Sequence, residues 1–371
     1  MRYLAFTLPE GHLTSNSVPL RETQLGRGIS RPGSLEADMD AVLGYRRIHV
    51  EETGETVELV QSWRTLLVAW DGRIARGYVV HYAEPKAEDQ ETLSVQAFGI
   101  GSIPSGTPWD EAPRDYVNED PLNIVRDAWE HITSFPDVPP VSVDRTSSPI
   151  RVGEPEETRE FTTGSGEEVE FDVGPRRLNW WSTEDLGKVI EDYSKETPFE
   201  WKEHTTLDLD AETPPRHRIE IGYPIIQPRV LESYFEVGVN VIAPDSDSDD
   251  EYCNEVIVLG SGEGSKRRRG SAKRSSKRMR KPKIYTDQSL DSHRKCREKA
   301  QEILDESKPD KFWTQVTVVP HPSTPYYVYD VGDVIDVRGL TVWGRHTQRC
   351  RIVELSHVVD TDSVRLTLEP W

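Results

Sequence analysis

Thr65-Leu-Leu-Val-Ala-Trp70, Asp71-Gly72 and Arg73-Ile-Ala-Arg-Gly-Tyr-Val-Val80 are two β-rich runs with Asp-Gly between them. Both central residues of such a turn can take positive φ, the geometry of a tight hairpin. A further strand is expected at Thr92–Phe98, so the region from about Leu43 to Ile103 reads as short strands at close spacing, as in a small barrel or sandwich. Residues 1–35 are rich in Gly, Pro, Ser and Thr without a period and read as an extended N-terminal arm.

The pattern changes after residue 115. Asp120-Pro121 has the form of an N-cap followed by proline at the first helical position, and Leu122, Val125, Ala128, Trp129 and Ile132 recur at helical spacing up to Pro136. Ser182-Thr-Glu-Asp185 resembles a capping box and predicts a second helix striped by Leu186, Val189, Ile190 and Tyr193, ended by Pro198. Strands return at Arg218–Tyr223, Tyr234–Ile242, Glu255–Gly260, Trp313–Val319, Asp333–Arg338, Cys350–His357 and Val364–Leu368. A helix over 289–306 places Cys296, Ala300, Ile303 and Leu304 on one side. The expected class is mainly β with an α+β connector. After the arm come a first barrel-like domain at 36–115, a mixed connector at 116–213 and a second barrel-like domain at 214–371. That last domain carries a flexible basic loop at 261–286.

With 371 residues, ten tryptophans and thirteen tyrosines, there is apolar mass for two or three cores. The formal charge of −20 is unevenly spread. Lys266, Arg267, Arg268, Arg269, Lys273, Arg274, Lys277, Arg278, Arg280, Lys281 and Lys283 fall in one stretch without an acid, leaving 34 basic against 65 acidic residues elsewhere. A body that acidic is unsuited to binding nucleic acid over a broad surface. Three readings of the basic stretch stay open: a solvated loop, an electrostatic tether to DNA or to an acidic surface such as Asp245–Glu251 of a neighbouring subunit, and a nuclear-localisation signal.

Chemistry-bearing motifs are scarce. Gly260-Ser-Gly-Glu-Gly-Ser-Lys266 lacks the Gly-Lys-Ser/Thr that opens a helix in a phosphate loop and reads as a strand-exit turn. Asp245, Asp247 and Asp249 start like a calcium loop, but Asp250 stands at the turn glycine and Val256 at the closing glutamate. His-Glu-x-x-His, Gly-x-Ser-x-Gly and Cys-x-x-Cys are all missing. Cys253, Cys296 and Cys350 suit buried thiols in a reducing compartment. The apolar start Tyr3–Phe6 is too short for a signal peptide, and no window nears eighteen apolar residues, so a soluble, unprocessed chain is expected. Trp180-Trp181 is either a packing anchor ahead of a helix or a sugar-stacking platform. No enzyme activity and no cofactor are expected.

Six blocks in one order carry a resemblance. They are Asp120–Trp129 with Ser134-Phe-Pro136, Leu178–Gly187, Glu196–His204, His217–Pro224, Gly238–Ile242 and Asn254–Gly264. Together they resemble the minor tail proteins of actinobacterial siphophages, a family similar to baseplate hubs and tail-associated proteins, over roughly Leu43 to the C-terminus. The resemblance implies two related β-barrel domains around a tail axis. It further implies a homotrimeric ring at the virion tail tip that closes the tube, takes part in DNA delivery and is assembled in the host cytoplasm. The implied partners are the distal tail protein, the tape-measure protein and neighbouring minor tail proteins, with transient contact to phage DNA. Two features depart from the pattern: the density of Lys and Arg in 266–283 and the unmatched first 35 residues. The chain also reaches Trp371 without the receptor-binding or wall-degrading extension of longer hubs. A receptor- or carbohydrate-binding tail-tip protein is the alternative, followed by a cell-wall hydrolase subunit.

Overall fold

The structure is a computed structural model that describes all residues except 163–167, 209–212, 247–252, 263, 276–278, 307–312 and 342–343. Strand takes up 45% of it and helix 16%, the mainly β composition expected.

Thr65–Trp70 and Ala75–Pro85 pair as predicted, Leu66 facing Val79 and Trp70 facing Ala75. The turn is longer than a two-residue Asp-Gly. Asp71 Oδ1 accepts the amides of Arg73 and Ile74, and Gly72 alone supplies positive φ, at +96°. Almost every residue of Thr65–Trp70 is buried because the sheet is covered on both faces. Leu66 and Val68 join Leu4 and Phe6 in one core, while Leu67 and Ala69 join Leu25, Leu35 and Met39 in another. That explains an unbroken apolar run where a half-exposed strand would alternate.

Residues 1–35 are not an arm. Arg2–Thr7 pairs with all of Thr65–Trp70, and Arg21–Gly28 and Arg31–Asp40 form a hairpin beside Thr92–Gly99. The composition misleads because Arg31–Asp40 buries only alternate side chains, Leu35, Ala37 and Met39 among them, and shows polar residues between.

One continuous, branched sheet of 16 strands runs through the molecule, and no closed barrel is detected among the described strands. The strand Arg21–Gly28 links the two ends of the chain by pairing antiparallel with Gly344–Val358, Gly28 facing Glu354 and Gln24 facing Val358. Gly344–Val358 also pairs with Val334–Thr341 and Ser363–Pro370 around a core of Phe235, Ile335, Ile352 and Leu366.

The connector helix Pro121–Thr133 starts at Asp120, whose side chain accepts the Leu122 amide, and buries the five predicted stripe residues. The second helix is Leu186–Glu196, not one beginning near Ser182. Asp185 caps it, while Ser182 is held by Asn179 instead of closing a capping box. Trp109, Trp129 and Trp201 fill the core between these helices and the strands Glu200–Thr206 and Arg216–Gly222.

Two buried ion pairs hold the C-terminal region, one to the N-terminal strand Arg21–Gly28 and one to the connector strand Glu200–Thr206. Arg27 reaches both carboxylate oxygens of Asp330 at 2.6 Å, and Arg351 spans both of Glu200 at 2.6 and 2.5 Å. Burial alone would raise the Asp330 carboxyl, but Arg27 holds it below the usual range.

Candidate functional site

The basic stretch is largely folded. Val241–Ser246 and Trp313–Val318 form an antiparallel pair, and between them the chain builds a unit of three strands and a helix. Glu255–Leu259 is central, antiparallel to Arg269–Lys273 and parallel to Pro282–Thr286, and the helix His293–Glu306 lies over the sheet. The flexible loop expected at 261–286 therefore contains two strands. Lys277 and Arg278 lie outside the described residues, as do Asp247 and Asp249 of the calcium-like run.

Local chemistry explains the unit. Val256 and Val258 are fully buried on the helix side, with Ala272 beside them and Cys296, Ala300 and Leu304 above. A Cβ on Gly270 would come within 2.3 Å of the Arg297 backbone nitrogen, so the helix sits against the strand at a position only glycine allows. Asn254, 3% exposed, ties the strand ends together by donating to the Met279 carbonyl and accepting from the Lys281 amide. Among the described residues Gly260–Lys266 joins the central strand to Arg269–Lys273, with a single 3-10 turn at Gly264–Lys266 and no α-helix after it.

The opposite face of this small sheet is open. The register places Ile257 between Ser271 and Ile284, flanked by Glu255–Lys273 and Leu259–Arg269 pairs. Ile284 is 65% exposed. Lys266, Arg268, Arg269, Lys273, Arg274, Arg280, Lys281 and Lys283 are exposed and Arg267 is half-buried. Arg280 pairs with Glu255, whose carboxyl is pulled down chiefly by that hydrogen bond, while Arg267 and Arg274 donate to the carbonyls of Gly260 and Leu304. An apolar strip bordered by cations is suited to an acidic protein surface with an apolar centre, which a bare phosphate backbone does not offer.

Trp180 and Trp181 are not packing anchors: they are 65% and 54% exposed. Asn179 and Thr183, both buried, fix the turn, and Asn179 Oδ1 accepts the Trp181 and Ser182 amides. The indoles meet edge to face, 5.3 Å between centroids at 86°, so they present no flat two-ring platform.

Sequence reasoning missed a third feature, a cleft of about 950 Å³ between the N-terminal strands and the connector helices. Trp63, 60% exposed and left-handed at φ 59°, stands at it with its ring stacked 4.0 Å from His81. A bulky residue at positive φ marks a position the surrounding fold over-determines. No local pattern in the sequence announces it.

Burial lowers His217 to about 4, and His204 bonds Glu220 at 2.6 Å, holding that carboxyl at about 2. All three cysteines are buried and unbridged, and burial lifts the Cys350 thiol to about 12. Among the described residues no group of three or more His, Cys, Asp or Glu is placed to hold a metal, and no helix is long and apolar enough to cross a membrane.

No protein-family profile matches the chain, and no curated protein is similar to it. Solved structures are similar from end to end. A 43 kDa tail protein of prophage MuSo2 from Shewanella oneidensis is 11% identical, with a TM-score of 0.59 over 100% of this chain and 98% of that one. The chain has a phage tail protein fold. A tail protein from Neisseria meningitidis is likewise 11% identical (TM-score 0.52, 99% and 96% covered), and the prophage tail protein gp18 from Listeria monocytogenes is 9% identical (TM-score 0.51, 99% and 94% covered).

Proposed function

We propose that this protein is a non-enzymatic structural component of a phage tail, a hub-type minor tail protein that forms a ring at the tail tip. The observation that carries the reading is the likeness over 100% of this chain and 98% of a prophage tail protein, which takes in all of the one and nearly all of the other. The narrower assignment, to the minor tail proteins of actinobacterial siphophages, rests on the six ordered sequence blocks. In this reading the ring is a homotrimer that closes the tube, meets the distal tail and tape-measure proteins, and is traversed by DNA at delivery. The basic unit docks through Ile257, Ile284, Arg269 and Lys273 on the acidic surface of a neighbouring tail protein. Its cations and apolar strip match a surface like that of this chain itself, which carries 34 basic against 65 acidic residues outside the basic stretch.

Exposure of Trp180 and Trp181 favours a second role, contact with a partner or a sugar. Negative-stain electron microscopy of the purified protein, with antibody labelling of intact particles, tests the main reading. Closed rings of few copies and label at the tail tip are expected. Monomers at every concentration together with unlabelled particles would sink it, as would release of dye from labelled cell walls.

A further inference from the structure

Arg76 stands in a buried strand between Ala75 and Gly77 and is itself 5% exposed. Its Nε and Nη2 are buried and have no hydrogen-bond partner among the described residues. The guanidinium lies 4.6 Å over the ring of Tyr326 and lines a partly open cavity of about 210 Å³ with Arg27, Tyr78, Glu203, Thr205 and Asp330. That is several times the roughly 30 Å³ that one water occupies.

The two carboxylates of the cavity are already committed. Both oxygens of Asp330 are taken by Arg27, and Oδ1 also accepts the Val331 amide. Glu203 Oε1 accepts the Gly33 amide at 2.8 Å and Oε2 the Gly101 amide at 2.7 Å. Arg76 thus feels the Asp330 charge but keeps two buried N–H groups with no acceptor, an arrangement that persists where something satisfies it. A second orphan lines the same cavity, the hydroxyl of Tyr78, and burial keeps that phenol protonated and able to donate. A planar fork of guanidinium N–H groups beside a phenolic donor is the complement of an oxyanion.

We infer that the cavity at Arg76 is a binding site for a small oxyanion, held by the Arg76 fork and the Tyr78 hydroxyl. The ligand is either a free tetrahedral anion or a small carboxylate. Because the cavity is lined by Arg27, by strand Ala75–Pro85 and by Asp330, the bound anion clamps the N-terminal strands to the Asp330 segment.

Thermal unfolding of the full chain, titrated separately with phosphate, sulfate and acetate against sodium chloride at equal ionic strength, tests this. A saturable rise in Tm, roughly several degrees, is expected with at least one of the three. Arg76→Met should abolish it and Arg349→Gln, an exposed arginine elsewhere, should retain it. Response to phosphate or sulfate alone identifies a free tetrahedral anion, and response to acetate identifies a carboxylate. No rise with any anion, or an equal rise in Arg76→Met, overturns the site. If Arg76→Met does not fold, wild-type crystals grown in selenate decide: an anomalous peak in the cavity is expected, and none would overturn the proposal.

Discussion

The basic unit at 254–306 and the junction that holds the C-terminal region are built from the same pairings in opposite surroundings. At the junction Arg27–Asp330 and Arg351–Glu200 are buried between strands, the side chains of the arginines 7% and 5% exposed. On the unit, Arg280–Glu255, Arg294–Glu298, Lys295–Asp291 and Lys299–Glu302 lie at the surface. A charge inside the fold is tolerable only while its partner stays, whereas one in solvent is indifferent to it. The junction is therefore brittle and specific, and the unit has a surface free to be rewritten.

The largest effect should come from breaking a junction pair. Asp330→Asn leaves Arg27 buried without its counter-charge and should cost about 3–5 kcal/mol in urea unfolding. A loss under ~1 kcal/mol would show that the junction is wetter than its burial implies.

Next comes acid. The His217 imidazole, buried against Thr205, titrates at about 4 in the fold and near 6.5 once unfolded. The stability it carries is whole above pH 6.5 and is lost as pH falls toward 4, reaching about 3 kcal/mol. His217→Gln should flatten that part of the pH profile, and an unchanged slope would assign it to other groups.

A smaller effect is expected in the unit. Gly270→Val pushes a side chain into the helix backbone and should cost about 1–3 kcal/mol locally. Limited proteolysis should then cut between 254 and 306 while Arg2–Asp40 stays protected. Simultaneous loss of both regions would mean that the unit is not independent of the main sheet.

The smallest is Arg280→Gln, which removes an exposed pair and should leave the unfolding midpoint unchanged. A clear drop would place this pair with the junction instead.

Sequence periodicity was a good guide wherever burial is one-sided or a helix shows a stripe, as in Pro121–Thr133 and Arg216–Gly222. It failed where the deciding contact is remote. Arg21–Gly28 has one large aliphatic residue to offer, Leu25, among polar residues and glycines, and is a strand because Gly344–Val358 lies beside it. In the basic unit the central strand and the helix were legible, but the two outer strands were not: the core there is mostly small, Ala272, Ala300, Cys253 and Cys296, so the charges dominate the composition while the glycine at 270 does the packing. Of the sites, the cations were legible as a group, though not the strip they border. Arg76 was legible only as a charge inside an apolar run, a signal that a buried strand had to be recognised first to interpret.

The pairing of Arg21–Gly28 with Gly344–Val358 has a consequence for synthesis. Asp330, the counter-charge of Arg27, follows it by 303 residues, and the strand that neighbours Gly28 comes later still. An emerging chain must hold the edge of its first sheet open, with the Arg27 side chain still in water, until residues 330–358 have left the ribosome. Copies that stop short of that segment cannot lock shut.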